Sequence, residues 1–276
     1  MIFVKWQDAV FQYDGTFDGF LCCIYESYVH KEFPIAFCSD EEYWSLYEVR
    51  YIVTDRQHAQ RVRRSIVKIS PDAAELLRRA FLTCMEEKEL RLYAFVQKLY
   101  NDGPSFLHNR SDPVYYPIAK ALRHMSGELE KLRGFVRFSD YNGVLGGKIE
   151  PKNRVLPLLR RHFCDRYANE SFFLYDRTHK EVLLYSQGKS RIFPVENLQL
   201  NAPDEQEIYY RTLWKRFFDT VAIRDRYNPR CQNTFLPKRY RNTMTEFLPV
   251  TDRPNRLSDG TDFAVPDGIP EPVTPA

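Results

Sequence analysis

Nowhere in the 276 residues is there an apolar run near the ~18 residues that a membrane-crossing helix needs. The opening stretch, MIFVKWQDAVFQYDG, has neither the charged start nor the apolar h-region of a secretory signal. The expectation is a cytoplasmic protein with no membrane partner. The six cysteines, Cys22, Cys23, Cys38, Cys84, Cys164 and Cys231, include no C-x-x-C pair and no zinc or iron–sulfur spacing. They read as reduced, mostly buried thiols, so neither a metal nor a cofactor is expected. Also missing are a G-x-S-x-G elbow, a phosphate-binding loop and H-E-x-x-H, which withdraws support from the common hydrolase, nucleoside-triphosphatase and zinc-protease chemistries.

What is present is a folding composition: 43% apolar and 15% aromatic, with 20 Phe and 18 Tyr. That is far more large side-chain surface than a disordered chain carries. At this length roughly three quarters of the unfolded surface can be buried, in one large domain or two small ones. The formal charge of +3 hides an uneven distribution. Residues 1–50 hold three basic residues against nine acidic, a net of −6. Residues 208–241 hold nine basic (Arg211, Lys215, Arg216, Arg224, Arg226, Arg230, Lys238, Arg239, Arg241) against Asp219 and Asp225, a net of +7.

Local signals then set the elements. VFQYD reads as a strand closing on an Asp14-Gly15 turn, followed by a helix capped by Thr16 that buries Phe17, Phe20, Leu21, Ile24, Tyr25 and Tyr28. YEVRYIV reads as a strand, and DRQHAQRVRRSIVKI as a basic helix with Ala59, Val62, Ile66 and Ile69 inward. Ser70-Pro71 caps and opens another helix. From 71 to 132 the pattern is helical, broken only at 101–104 and restarted at Asp112-Pro113, with Gly134 expected to stop the last helix in a left-handed cap. FVRFSDY and VLGGKIE are strands joined across Asn142-Gly143, RVLPLLRRHFCDRY is a helix, and short strands follow at 172–176, 182–185 and 191–194. A helix from about 205 to 223 is expected to bury Tyr210, Leu213, Trp214, Phe217 and Val221 and to turn Arg211 and Lys215 outward. The class is therefore α+β: a mostly helical N-terminal half, then a small antiparallel or mixed sheet with packed helices in the C-terminal half. Residues 1–247 read as one domain with a helical sub-region at 55–133. Residues 248–276, acidic and proline-rich, read as a disordered tail.

Three constellations carry chemistry. In YDGTFDGFLCCIYE, Asp14 and Asp18 sit at the mouth of a helix. They could hold a metal or a substrate group, but the blander reading is that backbone N–H groups there favour carboxylates. Across residues 135–176, Arg137, Glu150, His162, Arg166 and Asp176 come from neighbouring strands and one helix. His162, Glu150 and Asp176 would be acid–base candidates, with Arg137 holding a phosphate, if they converge. His162 also suits an ordinary core face with Val155, Leu158 and Leu159. In YYRTLWKRFFDTVAIRDRYNPRCQNTFLPKRYRNT, arginine forks suit phosphates and tyrosine rings suit unpaired bases. The alternative is an amphipathic helix with a solvated basic face.

Taken together, YDGTFDGFLCCIYE, Arg61-Val62, GFVRF at 134–138, IEP at 149–151, LLRRHFCDRY at 158–167, LYD at 174–176, LWKRFFDTVAIRDRYNP at 213–229 and LPKRY at 236–240 resemble a bacterial family of unknown function. Its members are described as DNA-metabolism proteins, as partners of a radical SAM protein that acts in DNA modification or repair, and in some cases as fusions to a uracil-DNA glycosylase. The likeness spans about residues 10–247 and leaves out the tail. It implies a context rather than a reaction: DNA, single-stranded or damaged, and a radical SAM partner. The chain has no C-x-x-x-C-x-x-C cluster site, so it is not that enzyme itself. The leading expectation is a nucleic-acid-associated accessory protein that contacts nucleic acid through Arg137, Arg211, Lys215, Arg224, Arg226, Arg230, Lys238, Arg239 and Arg241. The rival is an enzyme on a damaged or modified nucleotide that uses His162 and Glu150. A purely structural subunit would instead show a broad apolar patch and no basic surface.

Overall fold

The computed structural model describes residues 6–39, 45–196, 198 and 205–247. The fold class is α+β, as expected. The first sheet has the order β2-β1-β3, all parallel, from β1 (Gln7–Gln12), β2 (Glu32–Cys38) and β3 (Val49–Tyr51). Helix α1 (Phe17–His30) crosses from β1 to β2, which is the connection that parallel neighbours require. Thr16 caps α1 by accepting from the Gly19 N–H at 2.9 Å. Gly19 has to be glycine: a Cβ there would lie 2.2 Å from an Asp14 carboxylate oxygen and 2.8 Å from the Thr54 hydroxyl.

Strand β2 was not foreseen. Its Pro34 lacks the N–H a central strand would need, and β2 lies at the sheet edge, where that loss is tolerated. Helices α2 (Arg56–Ile69) and α3 (Pro71–Ala80) follow, sharing Ser70, whose N–H closes α2 on Ile66 and whose hydroxyl caps α3. The break after α3, with Glu87 at φ 50°, was hidden in the sequence because Phe81 and Leu82 prolong the apolar period. Helix α4 (Lys88–Asp102) and a 3-10 turn (Gly103–His108) lead to α5 (Tyr115–Phe135). Gly134 does not end α5 in a left-handed cap; the chain leaves the helix through Val136 in extended conformation.

The second sheet, β4-β5-β6-β7-β8, comprises β4 (Phe138–Asp140), β5 (Leu145–Ile149), β6 (Phe172–Asp176), β7 (Glu181–Ser186) and β8 (Lys189–Pro194). Only β5 and β6 pair in parallel, with α6 (Leu156–Arg166) between them. Asn142 and Gly143, at φ 55° and 86°, make the expected tight turn between β4 and β5.

Two apolar cores result. The first packs Phe11, Phe20, Leu21, Ile66, Leu77 and Tyr93 between the parallel sheet and α1–α4. The second packs Met125, Leu132, Leu159, Phe163, Phe172 and Leu183 between the mixed sheet, α5 and α6. Each such side chain contributes about 1.5–3 kcal/mol by burial. Helix α5 is common to both: Ile118 belongs to the first, Met125 to the second, and Leu122 packs against both. The sequence then closes with α7 (Glu205–Val221), a 3-10 turn (Arg224–Arg226), α8 (Pro229–Phe235), α9 (Lys238–Arg241) and a last 3-10 turn (Thr245–Phe247). No helix among the described residues is long and apolar enough to cross a membrane. The tail from 248 lies outside the described residues.

Candidate nucleic-acid interface

Helix α7 sits on the molecule the other way round from the expectation. Its inward line is Glu207, Arg211 and Lys215, spaced i, i+4, i+8. Glu207 accepts from the Asp140 N–H at 3.0 Å and from Arg211 Nε at 2.7 Å. Arg211 also donates to the Ser139 hydroxyl at 2.8 Å, and Lys215 donates to the backbone carbonyl of Glu246 at 2.9 Å. Phe218 meets Phe247 edge-on. Charged hydrogen bonds therefore dock this helix, and its apolar stripe is left open. Tyr210 is 57% exposed, Trp214 40% and Phe217 57%, with Leu213 and Val221 also in water. The error had a cause: periodicity reveals a stripe, but not which side of the helix the core is on.

The open stripe is ordered. Trp214 and Phe217 stack with centroids 5.6 Å apart, and the Arg137 guanidinium lies 5.7 Å above the Trp214 ring. Tyr209 and Tyr210 meet at 6.0 Å. Tyr227 and Phe235, past the helix, are about three-quarters exposed. Asn228 caps α8 by accepting from the Cys231 N–H, with Pro229 in the first turn, so the chain after Tyr227 is fixed by local chemistry.

The basic residues singled out from the sequence divide into two groups. Arg137 is tied to Glu246 at 2.8 Å and to the Gly134 carbonyl at 3.0 Å. Arg239 is bound to Glu128 at 2.8 Å and lies 4.5 Å over Tyr240, and Arg241 donates to Asn233 and to the Leu236 carbonyl while covering Phe247. With Arg211 and Lys215 these are framework cations. Arg226, Arg230 and Lys238 are exposed, as is Arg216, which lies outside the set of expected contacts. Arg224 opens the 3-10 turn, and its side chain lies outside the described residues. In chain order the exposed cations run from the middle of α7 through the segment after it to α9.

The acid–base candidates are held by separate partners. Glu150 pairs with Arg177. Asp176, fully buried, accepts from the Thr178 and His179 N–H groups and pairs with the His179 ring at 2.7 Å, which makes it the cap of the β6–β7 turn. His162 on α6 meets Phe163 edge-on, and its Nε2 is buried without a hydrogen bond. Burial, together with Arg133 and Arg166 nearby, pushes its pKa below the ordinary histidine value. No hydrogen bond joins any two of the three. At the mouth of α1, Asp14 accepts from the Thr16 N–H, the Thr16 hydroxyl and the Thr54 hydroxyl, while Asp18 pairs with Arg63. Among the described residues no group of three or more His, Cys, Asp and Glu is placed to hold a metal ion. Cys22, Cys23 and Cys38 are buried, but Cys84 and Cys231 are exposed, so burial is less general than expected.

No curated protein matches the chain. A family model described as a domain of unknown function, DUF4130, matches residues 86–246, a stretch that runs from the start of α4 through the aromatic stripe to the last 3-10 turn. That is more than half of the sequence, and the chain belongs to the DUF4130 family of unknown function.

Proposed function

We propose that this chain is a nucleic-acid-binding accessory protein that holds an unpaired strand along α7 and the segment after it, in DNA repair or modification alongside a radical SAM enzyme. The open aromatic stripe of α7, in a stretch of chain that also exposes Arg216, Arg226 and Arg230, carries the binding part of this reading. Every nucleobase has a π-face, so Tyr210, the Trp214–Phe217 pair and Tyr227 suit stacking whatever the sequence, at about 1–3 kcal/mol per base. Arg216, Arg226, Arg230 and Lys238, exposed on α7 and in the segment after it, supply phosphate partners. A purely structural subunit would need the apolar patch alone; here the patch is largely aromatic and lies in the same stretch of chain as these exposed cations. The DNA context and the radical SAM partner follow from the family resemblance described above.

Fluorescence anisotropy of a labelled single-stranded oligonucleotide against the full chain tests the binding reading. Affinity should fall as salt rises, and Arg226→Ala and Arg230→Ala should each lower the magnitude of the log–log salt slope by about one. Trp214→Ala and Phe217→Ala should each weaken binding by roughly five-fold or more at constant salt. No affinity at low salt, or affinity untouched by both aromatic variants, rules the reading out. Co-purification of the tagged chain with the radical SAM protein checks the partnership separately.

A further inference from the structure

A second aromatic site lies on the opposite half of the molecule, in the first core's outer wall. A cleft of about 290 Å³ opens between α1, α2 and α4, lined by Tyr25, Tyr28, Arg61, Val62, Ser65 and Tyr100. Three phenol rings and one guanidinium thus surround a small solvent-facing opening. The rings are fixed in orientation. Tyr28 meets Tyr100 edge-on at 5.8 Å and Trp6 edge-on at 5.4 Å. Tyr25 is stacked with His58 at 4.0 Å, and the Arg61 guanidinium lies 5.8 Å from the Tyr25 centroid.

The hydrogen bonds define what the cleft offers. The Ser65 hydroxyl donates to the Val62 carbonyl at 2.7 Å, so its one proton is committed. At 2.6 Å from Ser65, the Tyr100 hydroxyl must then be the donor of that pair. The remaining lone pairs of the Tyr100 oxygen are left as acceptors beside the rings. Arg61, exposed at the rim, is a donor and a cation. Glu26 is engaged beside the cleft, facing the His30 ring at 3.1 Å and the His58 ring at 3.4 Å. Burial raises the pKa of Tyr28 to about 12 and that of Tyr100 above the ordinary phenol value, so both stay neutral.

We infer that this cleft binds one planar nitrogen heterocycle of the nucleobase class that carries an N–H donor, with its ring against Tyr25 and Tyr28, its N–H on the Tyr100 oxygen and its phosphate toward Arg61. Edge-on and stacked phenols match a flat π-system, the acceptor selects an amino-bearing ring, and the rim arginine matches the anion such a ring carries in a nucleotide. The heterocycle comes either from a free nucleotide or from a base turned out of a strand. In the second case the inference rests on the nucleic-acid reading proposed above.

Titration calorimetry of the full chain with adenosine and cytidine 5′-monophosphates, with inorganic phosphate as the control, tests the site. The monophosphates should bind and phosphate alone should not. Tyr100→Phe keeps the ring and the fold, which thermal melting verifies, and should weaken monophosphate binding about five- to ten-fold. Absence of monophosphate binding, or equal affinity in Tyr100→Phe, overturns the inference. The source is read by repeating the comparison with a single-stranded oligonucleotide: weakening by Tyr100→Phe there assigns the site to a strand's base, and weakening of the monophosphate alone assigns it to free nucleotide. Trp214→Ala separates the two proposals. If it weakens the oligonucleotide while no monophosphate binds, the α7 reading stands and this one falls; if monophosphates bind through Tyr100 while neither Trp214→Ala nor Phe217→Ala changes oligonucleotide binding, the reverse holds.

Discussion

Helices α2 and α7 look alike on paper and are used in opposite ways. Each is amphipathic, each carries arginines, and each follows a strand. Helix α2 turns Ala59, Val62 and Ile66 into the first core and shows water its cations Arg61, Arg63, Arg64 and Lys68. Helix α7 turns Glu207, Arg211 and Lys215 toward β4 and the last 3-10 turn, and shows water its rings. The first is held by area removed from water, the second by charge-assisted hydrogen bonds. The difference extends to the whole ends of the molecule. The C-terminal segment is attached through Arg137–Glu246, Arg211–Ser139 and Arg239–Glu128, with Tyr240 reaching into the second core, whereas the N-terminal half closes over apolar side chains. An apolar stripe is left open while a polar line does the docking, and exposed apolar patches of this kind are the ones that mark interaction sites on protein surfaces.

That contrast breaks most visibly at Glu128. This carboxylate on α5 is 2% exposed and takes the Lys152 and Asn153 N–H groups, the Asn153 side chain and Arg239. Glu128→Ala should cost about 3–5 kcal/mol in urea unfolding, because it leaves Arg239 and two N–H groups without their carboxylate. Burial works to raise the Glu128 pKa, but those hydrogen bonds and Arg239 overcome it, so the folded-state value lies below the ordinary one. The sign follows: the contribution is fully present above the unfolded glutamate value of about 4.3 and is lost as pH falls through the depressed folded value. Glu128→Gln should therefore flatten the acid limb of the stability curve, and an acid limb unchanged in that variant would refute the assignment. The next effect contrasts the two helices directly. Ile66→Ala in α2 should cost about 2–5 kcal/mol, whereas Phe217→Ala in α7, a larger truncation, should stay within about 0.5 kcal/mol. Equal losses in a denaturant series would mean that the α7 stripe is packed after all.

What the sequence disclosed was whatever local chemistry decides. Thr16 and Ser70 cap because a hydroxyl before an apolar period meets orphan N–H groups, and Asn142-Gly143 turns because both residues tolerate positive φ. Helix α2 was legible because its inward apolar residues repeat with one period and most of its remaining positions are charged or polar. Features set by distant partners were not legible. Strand β2 exists because α1 carries it beside β1, and nothing within EFPIAFC states that pairing. The orientation of α7 depends on Ser139, Asp140 and Glu246, far away in sequence, so the i, i+4 pair Arg211 and Lys215 reads as solvated although it belongs to a docking edge. The candidate surface was therefore found in the right stretch with its two faces exchanged: the rings written off as core are the exposed ones, and five of the chosen cations are framework. The aromatic cleft beside Arg61 was invisible because Tyr25, Tyr28 and Tyr100 come from two helices that only the fold brings together.

The smallest effect tests the contrast at the level of one residue type. Arg63 on α2 and Arg211 on α7 each pair with a carboxylate, yet Arg63 is about half exposed at its bond to Asp18 while Arg211 is about a quarter exposed between Glu207 and Ser139. An exposed pair gains little because water screens it and two long side chains must be ordered, so Arg63→Ala should cost less than about 1 kcal/mol even though it also uncovers Phe17. Arg211→Ala removes two hydrogen bonds from a partly desolvated edge and should cost about 1–3 kcal/mol. The location of the loss matters more than its size. In Arg211→Ala, amide hydrogen exchange should quicken along α7 and leave α2 unchanged, because the polar line is what fastens that helix. If exchange instead quickens evenly across both helices, α7 shares the cooperative unit of the first core, and docking by charge is not what distinguishes the two ends of this molecule.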